Sequence, residues 1–127
     1  MLQRKENIIL AKTDAFGDRI LKLYQYLIKE KQEFVLSKQI LRSGTSIGAN
    51  TAEARNAQGE KDFVNKLNIA LKEADETDYW LRKLQSGEYI TACQYESMHN
   101  DNEEIIKILT KIIKNDETKN LIVHGVW

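Results

Sequence analysis

The chain has 127 residues, with no proline, six glycines and 30 % charged residues. This length suits one domain with a single hydrophobic core, and the absence of proline favours long helices over a sheet protein with many tight turns. Basic and acidic residues balance at nineteen each, which argues against a strongly basic nucleic-acid binder.

The charge is unevenly divided along the chain. Residues 1–58 carry a net charge of +4 and residues 59–127 a net charge of −4. The first half therefore either faces a polyanion or complements the second half, within a bundle or between subunits. A single cysteine, Cys93, excludes an intrachain disulfide and fits a reducing compartment. Because no secretory leader or membrane-spanning apolar run is evident, we expect a cytoplasmic protein.

The first predicted helix covers about residues 7–31. Its apolar residues recur at the spacing of a buried helical stripe: Ile9, Phe16, Ile20, Leu23 and Leu27. Basic residues repeat along its flank, in a row that could follow a phosphate backbone, with Tyr26 beside them to stack on a base. These candidate nucleic-acid contacts are Lys12, Arg19, Lys22 and Lys29. The alternative is an ordinary solvated flank, because acidic residues are interleaved with them.

The second predicted helix, about residues 36–57, contains the run RSGTSIGANTAEARNA from position 42 onward. Gly44, Gly48 and Ala52 recur there every four residues on one face, although glycine inside a helix costs roughly 1 kcal/mol relative to alanine. We therefore predict that this helix is thinned for close contact. Its neighbour is either another helix of the same bundle or, alternatively, another subunit or a phosphate backbone.

The polar residues of the second helix fall into two groups. Arg42, Glu53 and Arg55 are placed on its outer or flanking surface, where Arg42 and Arg55 complete the set of candidate nucleic-acid contacts. Arg42 and Glu53 are three helical turns apart and share a face. Ser46 and Asn50 lie nearer the close-packed side, and Asn50 is predicted to fix helix register or to bond a neighbouring helix.

A third helix is predicted over about residues 60–85 and a fourth over about residues 91–114, with Thr91 as its N-cap. Both carry apolar residues outside their core stripe, which indicates self-association. Turns of a few residues imply antiparallel neighbours, so we predict an all-α fold, an antiparallel up-down four-helix bundle forming one domain over residues 1–127. The apolar C-terminal tail, residues 121–127, is expected to dock on its own bundle or on a neighbouring subunit.

No catalytic, metal or cofactor site is predicted. Glu96 and His99 form the only Glu-x-x-His spacing, whereas a di-iron bundle needs this spacing on two helices and carboxylates on all four. Glu73 and Glu76 lie on the flank of the third helix, where we expect interhelical or intersubunit ion pairs. Cys93 has no assignable histidine partner, and the glycines lie within a helical pattern, so we expect a protein that is not an enzyme.

Three segments carry a resemblance to a known family: QILRSGTSIGANTAE over residues 39–53, Asp62-Phe63, and LNIALKE over residues 67–73. They resemble the 23S rRNA intervening-sequence protein family. This resemblance implies a small bacterial, ribosomal-protein-like protein of unknown function, a left-handed antiparallel bundle that assembles into a homopentamer without known enzymatic activity. The fold is also similar to that of the accessory protein of diversity-generating retroelements, which binds nucleic acid and a reverse transcriptase. The matching positions, with structural roles, are Gln39, Gly44, Ser46, Gly48, Asn50, Ala52, Glu53, Phe63 and Glu73.

The resemblance and the basic row together predict a homo-oligomeric, pentameric accessory or scaffold protein that binds RNA or DNA. Where many family members carry Gly and Arg, this chain has Ala54 and Ala57, which removes one basic residue from the predicted surface. The alternative function is that of an adaptor. Such a protein would bind a partner polypeptide through the apolar flanks of the third and fourth helices and through the C-terminal tail.

Overall fold

The computed structural model describes residues 4–123, with side chains described for residues 6–117. Its four helices are α1 (Arg4–Lys29), α2 (Leu36–Ala54), α3 (Glu60–Ser86) and α4 (Ala92–Val123). Both α1 and α3 pack against α2 and α4, whereas diagonally opposite helices do not pack within the described residues. Short turns join successive helices, so neighbours run in opposite directions. The predicted all-α, antiparallel four-helix bundle is confirmed.

One apolar stripe of α1 supplies its part of the core. Ile9, Phe16, Ile20 and Leu27 are buried, and Leu23 is half-buried against them. Thr13 lies in the same stripe and is also buried, because its hydroxyl donates a hydrogen bond to the carbonyl oxygen of Ile9 at 2.8 Å. Helix α3 contributes its own buried stripe to the core: Leu67, Ala70, Ala74, Thr77, Leu81 and Leu84.

The two glycines of α2 lie at its contact with α1. A Cβ atom on Gly44 would lie 2.6 Å from Cγ1 of Ile20, and one on Gly48 would lie 3.2 Å from the carbonyl oxygen of Thr13. A side chain at Gly44 would therefore displace a buried core residue. The close neighbour predicted for these glycines is thus another helix of the same bundle, and the glycine face is not open to a phosphate backbone.

Glu33 begins α2 from within the α1–α2 turn. Its carboxylate accepts hydrogen bonds at 2.7–3.2 Å from the first backbone N–H groups, those of Val35, Leu36 and Ser37. These groups have no acceptor inside the helix, and a negative charge also favours the positive end of the helix dipole. Glu33 can therefore be only 8 % exposed although it is acidic.

Two further helix starts depend on local sequence. The N-cap predicted at Thr91 is confirmed, because Gln94 N–H donates to the Thr91 hydroxyl at 3.1 Å and Thr91 N–H donates to the Gln94 side chain at 2.8 Å. Gly59 precedes α3 with a φ of 154°, a backbone conformation that residues with side chains rarely adopt.

The helix ends differ from the prediction in two places. α2 ends at Ala54 instead of residue 57, because the next three N–H groups bond carbonyls three residues back, which tightens the chain into turns. α4 continues to Val123 instead of residue 114, since no proline or glycine interrupts it. Of the predicted tail, residues 124–127 and the side chains of 121–123 lie outside the described residues. No helix in the described part of the chain is long and apolar enough to cross a membrane.

Candidate nucleic-acid interface

Two of the predicted α1 contacts form ion pairs with α4. Lys12 pairs with Glu104, and Arg19 Nη1 lies 2.6 Å from Asp101 Oδ2. Arg19 Nη2 also donates a hydrogen bond to the Ser97 hydroxyl at 2.9 Å. All four ionic side chains remain about half exposed, so these pairs are surface bridges of roughly 0–1 kcal/mol. Their positive charges are nevertheless compensated by α4.

Arg42 joins α2 to α3. Its guanidinium pairs with Glu76, lies 3.4 Å from a Glu73 carboxylate oxygen, and donates to Gln39 Oε1 at 3.4 Å. The indole N–H of Trp80 donates to the same Glu76 carboxylate at 2.9 Å. The Trp80 hydrogen bond and the nearby guanidinium hold the pKa of Glu76 below its ordinary value. The ion pairs expected on the flank of α3 are thus interhelical.

Other polar residues of the α2 motif also make structural contacts. Glu53 accepts from Lys66 of α3 at 3.3 Å, so Arg42 and Glu53 face the same neighbour as predicted. The Ser46 hydroxyl donates to the carbonyl oxygen of Arg42 at 2.6 Å. Asn50 donates at 2.9 Å to the carbonyl oxygen of Ser46. The predicted bond from Asn50 to a neighbouring helix is not made among the described residues, because its short amide reaches its own helix, and its role in fixing helix register stays a prediction.

Arg55 lies at the opposite end of the bundle from the α1–α2 turn. It follows α2 directly, is exposed, and lines an open cavity of about 700 Å³ that Phe63 also lines. Three carboxyl groups, those of Glu6, Glu60 and Asp116, line the same cavity.

Lys22 and Lys29 are exposed, and neither has an ion-pair partner among the residues that the structure describes. The six predicted cations do not form one patch. Arg42 lies where α2 meets α3, whereas Lys12 and Arg19 lie where α1 meets α4, on the other side of the bundle. The motif residue Ala52 is half-buried and offers no polar group to a ligand.

A second group of cations was missed by the sequence prediction. We call the turn end the surface formed by the two turns, residues 30–35 and 87–91, and the helix ends beside them. Phe34 and Val35 are 56 % and 70 % exposed there. Lys31 and Lys38 are exposed on either side of them. The signal in the sequence was two apolar residues placed between lysines just before a helix, Phe34 and Val35 between Lys31 and Lys38.

Tyrosines accompany the cations of the turn end. Lys31 Nζ lies 5.9 Å from the centre of the Tyr26 ring, and Lys83 Nζ lies 5.2 Å from the centre of the Tyr79 ring. An open cavity of about 360 Å³ separates the two turns. Its lining includes Tyr26, Lys31 and Tyr89. Aromatic rings and ammonium groups thus meet at one end of the bundle.

A polar cluster joins α3 to α4. Asp78 Oδ1 lies 2.6 Å from Nδ1 of His99 and accepts a hydrogen bond from the Tyr95 hydroxyl at 3.3 Å. The Tyr95 and His99 rings stack with centroids 5.3 Å apart. Burial and the Asp78 carboxylate raise the pKa of Tyr95 above its ordinary value. His99 therefore takes part in helix packing, and Glu96 is exposed to solvent.

The side chains described show no arrangement of three or more histidine, cysteine or acidic groups suited to hold a metal ion. Cys93 is exposed in the first turn of α4.

A protein-family model described as "23S rRNA-intervening sequence protein" matches residues 5–111. Among solved structures, the chain is similar to a protein of unknown function from the S23 ribosomal protein family of Bacteroides thetaiotaomicron VPI-5482. The identity is 60 %, the match covers 87 % of this chain and 98 % of that one, and the TM-score is 0.86. No curated protein matches the sequence.

Proposed function

This chain belongs to the 23S rRNA-intervening sequence protein family, and from this premise we propose that it is a homo-oligomeric, non-enzymatic scaffold that binds RNA or DNA. The family takes its name from intervening sequences of 23S rRNA, which favours RNA as the partner. The proposed location is the cytoplasm, where such RNA is present.

The observation that carries the proposal is the division of the cations into two groups. Lys12, Arg19 and Arg42 are neutralised by carboxylates of neighbouring helices. Lys22 and Lys29 have no carboxylate partner among the described residues. A phosphate backbone would supply the missing negative charge, and release of its counterions would drive binding.

A pentamer is the proposed assembly. Leu21 and Ile8 of α1 are 44 % and 39 % exposed, and Trp80 of α3 is only half-buried. Burial of such groups between subunits would be favourable. A ring would also repeat each weak cationic surface, so that several contacts to one RNA add through multivalency.

Light scattering behind size-exclusion chromatography tests assembly and binding together. We expect about five times the chain mass of 14.7 kDa. A structured RNA fragment should raise this mass at about 50 mM salt and leave it unchanged at about 300 mM salt, because electrostatic binding weakens steeply with salt. A monomer that ignores RNA at low salt would contradict both parts of the proposal.

The alternative function is that of a protein-binding adaptor. Its support is the length of α4, whose backbone carries the start of the apolar segment, residues 121–123, as helix. Removal of residues 121–127 would then abolish capture of a partner polypeptide and leave RNA binding intact. If the truncated chain retains its partner, or loses RNA binding as well, the adaptor function is wrong.

A further inference from the structure

From the side chains of the turn end we infer that this surface binds unpaired nucleotides, with bases stacked on its aromatic rings and phosphates held by its lysines. This inference rests on the nucleic-acid function proposed above and names the surface and the form of the ligand. Lys29 is shared with the basic row on α1, and the other observations are separate from that row. The observations are exposed apolar groups on a fixed backbone, cations without carboxylate partners, and a cavity between two turns.

The backbone that carries these apolar groups is held by hydrogen bonds to Glu33. Phe34 and Val35 stand directly between the buried carboxylate of Glu33 and the first turn of α2. Three backbone N–H groups donate to that carboxylate, including that of Val35 at 3.2 Å. An exposed ring on such a backbone loses little conformational freedom when a base stacks on it.

Positive charge surrounds these apolar groups. Lys29, Lys31 and Lys38 are all exposed, and none forms an ion pair with another described residue. The carboxylate of Glu33 is occupied by the helix start. Glu30 and Glu88 are the exposed carboxylates in the two turns, so the lysines outnumber them. The Glu33 carboxylate also occupies the N–H groups of Val35, Leu36 and Ser37 at the start of α2, so we expect the phosphates to contact the lysines.

The cavity between the turns favours an unpaired base over a base paired in a nucleic-acid duplex. Its volume of about 360 Å³ lies at the lower end of the usual range for small-ligand sites. Tyr26 and Tyr89 contribute rings to its wall, and Lys31 stands over the Tyr26 ring. Bases in a duplex are already stacked on one another, whereas unpaired bases can stack on protein rings.

A membrane surface fits these groups less well. Two neighbouring apolar side chains bury little area in a bilayer compared with the whole apolar face of an interfacial helix. Binding of unpaired nucleotides would use both kinds of group, the rings to stack on bases and the lysines to pair with phosphates. An anionic lipid surface is nevertheless a distinct outcome that the experiment must detect.

Fluorescence anisotropy with labelled oligonucleotides tests the inference on the full chain. The probes are a strand of about twelve uridines and a blunt-ended RNA duplex of similar length, at about 50 mM salt. Phe34→Ala should weaken binding of the uridine strand about tenfold, as loss of one stacking platform does elsewhere, and should change binding of the duplex little. Because Phe34 is exposed, its variant should retain the wild-type helical circular dichroism and melting temperature.

A charge-matched pair of triple variants locates the phosphates. The first combines Lys29→Gln, Lys31→Gln and Lys38→Gln at the turn end. The control, which removes three exposed lysines from the middle of α3 and from α4, combines Lys72→Gln, Lys107→Gln and Lys111→Gln. The turn-end variant should weaken binding at least tenfold and lower the salt slope by about 2, whereas the control should change both much less.

The possible failures are distinguishable. If the wild-type chain binds RNA but Phe34→Ala and both triple variants weaken it equally, the turn end is not the site and the proposed function stands. If the wild-type chain binds neither probe at low salt, the proposed function fails together with this inference. If Phe34→Ala abolishes binding to phosphatidylserine vesicles while neither oligonucleotide binds, the surface is a lipid-binding one and the inference is overturned.

Discussion

Helices α2 and α4 each pack against both α1 and α3, and they do so by different means. α2 meets α1 through Gly44 and Gly48, with no room for a Cβ atom at Gly44. α4 meets α1 through surface ion pairs such as that of Arg19 with Asp101. Close packing therefore fixes α2 against α1, whereas α4 is held mainly by its buried apolar residues, such as Ile105 and Leu109, with weak surface ion pairs to α1 beside them.

The contacts with α3 differ in the same way. Glu76 faces α2, where Trp80 and Arg42 hold its pKa below the ordinary value. Asp75, its neighbour in sequence, faces α4, where burial, Glu103 and another carboxylate raise its pKa. One face of α3 is thus electrostatically complementary to its neighbour, and the other gathers carboxylates. The same helix carries a stabilising and an unfavourable charge environment one residue apart.

The largest change in stability is expected at the contact between α1 and α2, where close packing leaves no room for a side chain at Gly44. Gly44→Ala places a Cβ atom 2.6 Å from Ile20 Cγ1, which should lower the free energy of unfolding by about 2 kcal/mol. Gly17→Ala is the matched control, because no atom lies within 4 Å of its added Cβ atom. The control should gain up to about 1 kcal/mol from helix propensity. Urea unfolding measures both, and equal gains for the two variants would show that the α1–α2 contact is loose.

A smaller effect, an increase in the free energy of unfolding, is expected for a substitution in α4. Asn102 is fully buried and donates to the carbonyl oxygen of Ala74 at 2.8 Å, but its Oδ1 has no hydrogen-bond partner among the described residues. Asn102→Leu keeps the branching and the number of side-chain heavy atoms and removes that unsatisfied oxygen, so the free energy of unfolding should rise by about 1 kcal/mol. Asn102→Ala, which leaves a cavity instead, should lower it. A loss for the leucine variant would show that the bond to Ala74 outweighs the unsatisfied oxygen.

The smallest expected effects are changes of stability with pH, and they differ between the face of α3 toward α2 and the face toward α4. The contribution of Glu76 is present above its unfolded pKa, near 4.5, and is lost as the pH falls through its lower folded value. The contribution of Asp75 depends on pH in the opposite direction, because its folded pKa is raised. Its stabilising contribution is complete below the unfolded pKa of 3.8 and is lost as the pH rises through the higher folded pKa.

Matched neutral variants isolate these two contributions. At neutral pH, Glu76→Gln should destabilise the chain and Asp75→Asn should stabilise it slightly, each by less than about 1 kcal/mol because both groups are near the surface. Melting temperatures recorded between pH 3 and pH 7 should show the two differences shrinking toward acid pH. Shifts of the same sign at neutral pH would contradict the assignment of opposite environments.

The sequence was sufficient for the periodic parts of this molecule and insufficient for its surface. The spacing of Ile9, Phe16 and Ile20 predicted their burial, and the glycine spacing predicted the close helix contact. Periodicity could not show that Arg19 would be paired, since Asp101 lies 82 residues away in sequence. Nor could it show that Asn102 would enter the core, because a polar residue at a core position gives no apolar signal.

Among the described residues, the contact between α1 and α4 is the least extensive of the four helix–helix contacts, and α2 and α3 share the most extensive one. Separation of α4 from both α1 and α3 would leave the other three helices packed on one another, so we expect α4 to open as a partly independent cooperative unit. Native-state hydrogen exchange should then report lower opening free energies for amides in residues 92–117 than for those in α2. Uniform protection across the chain would mean that the bundle unfolds only as a whole.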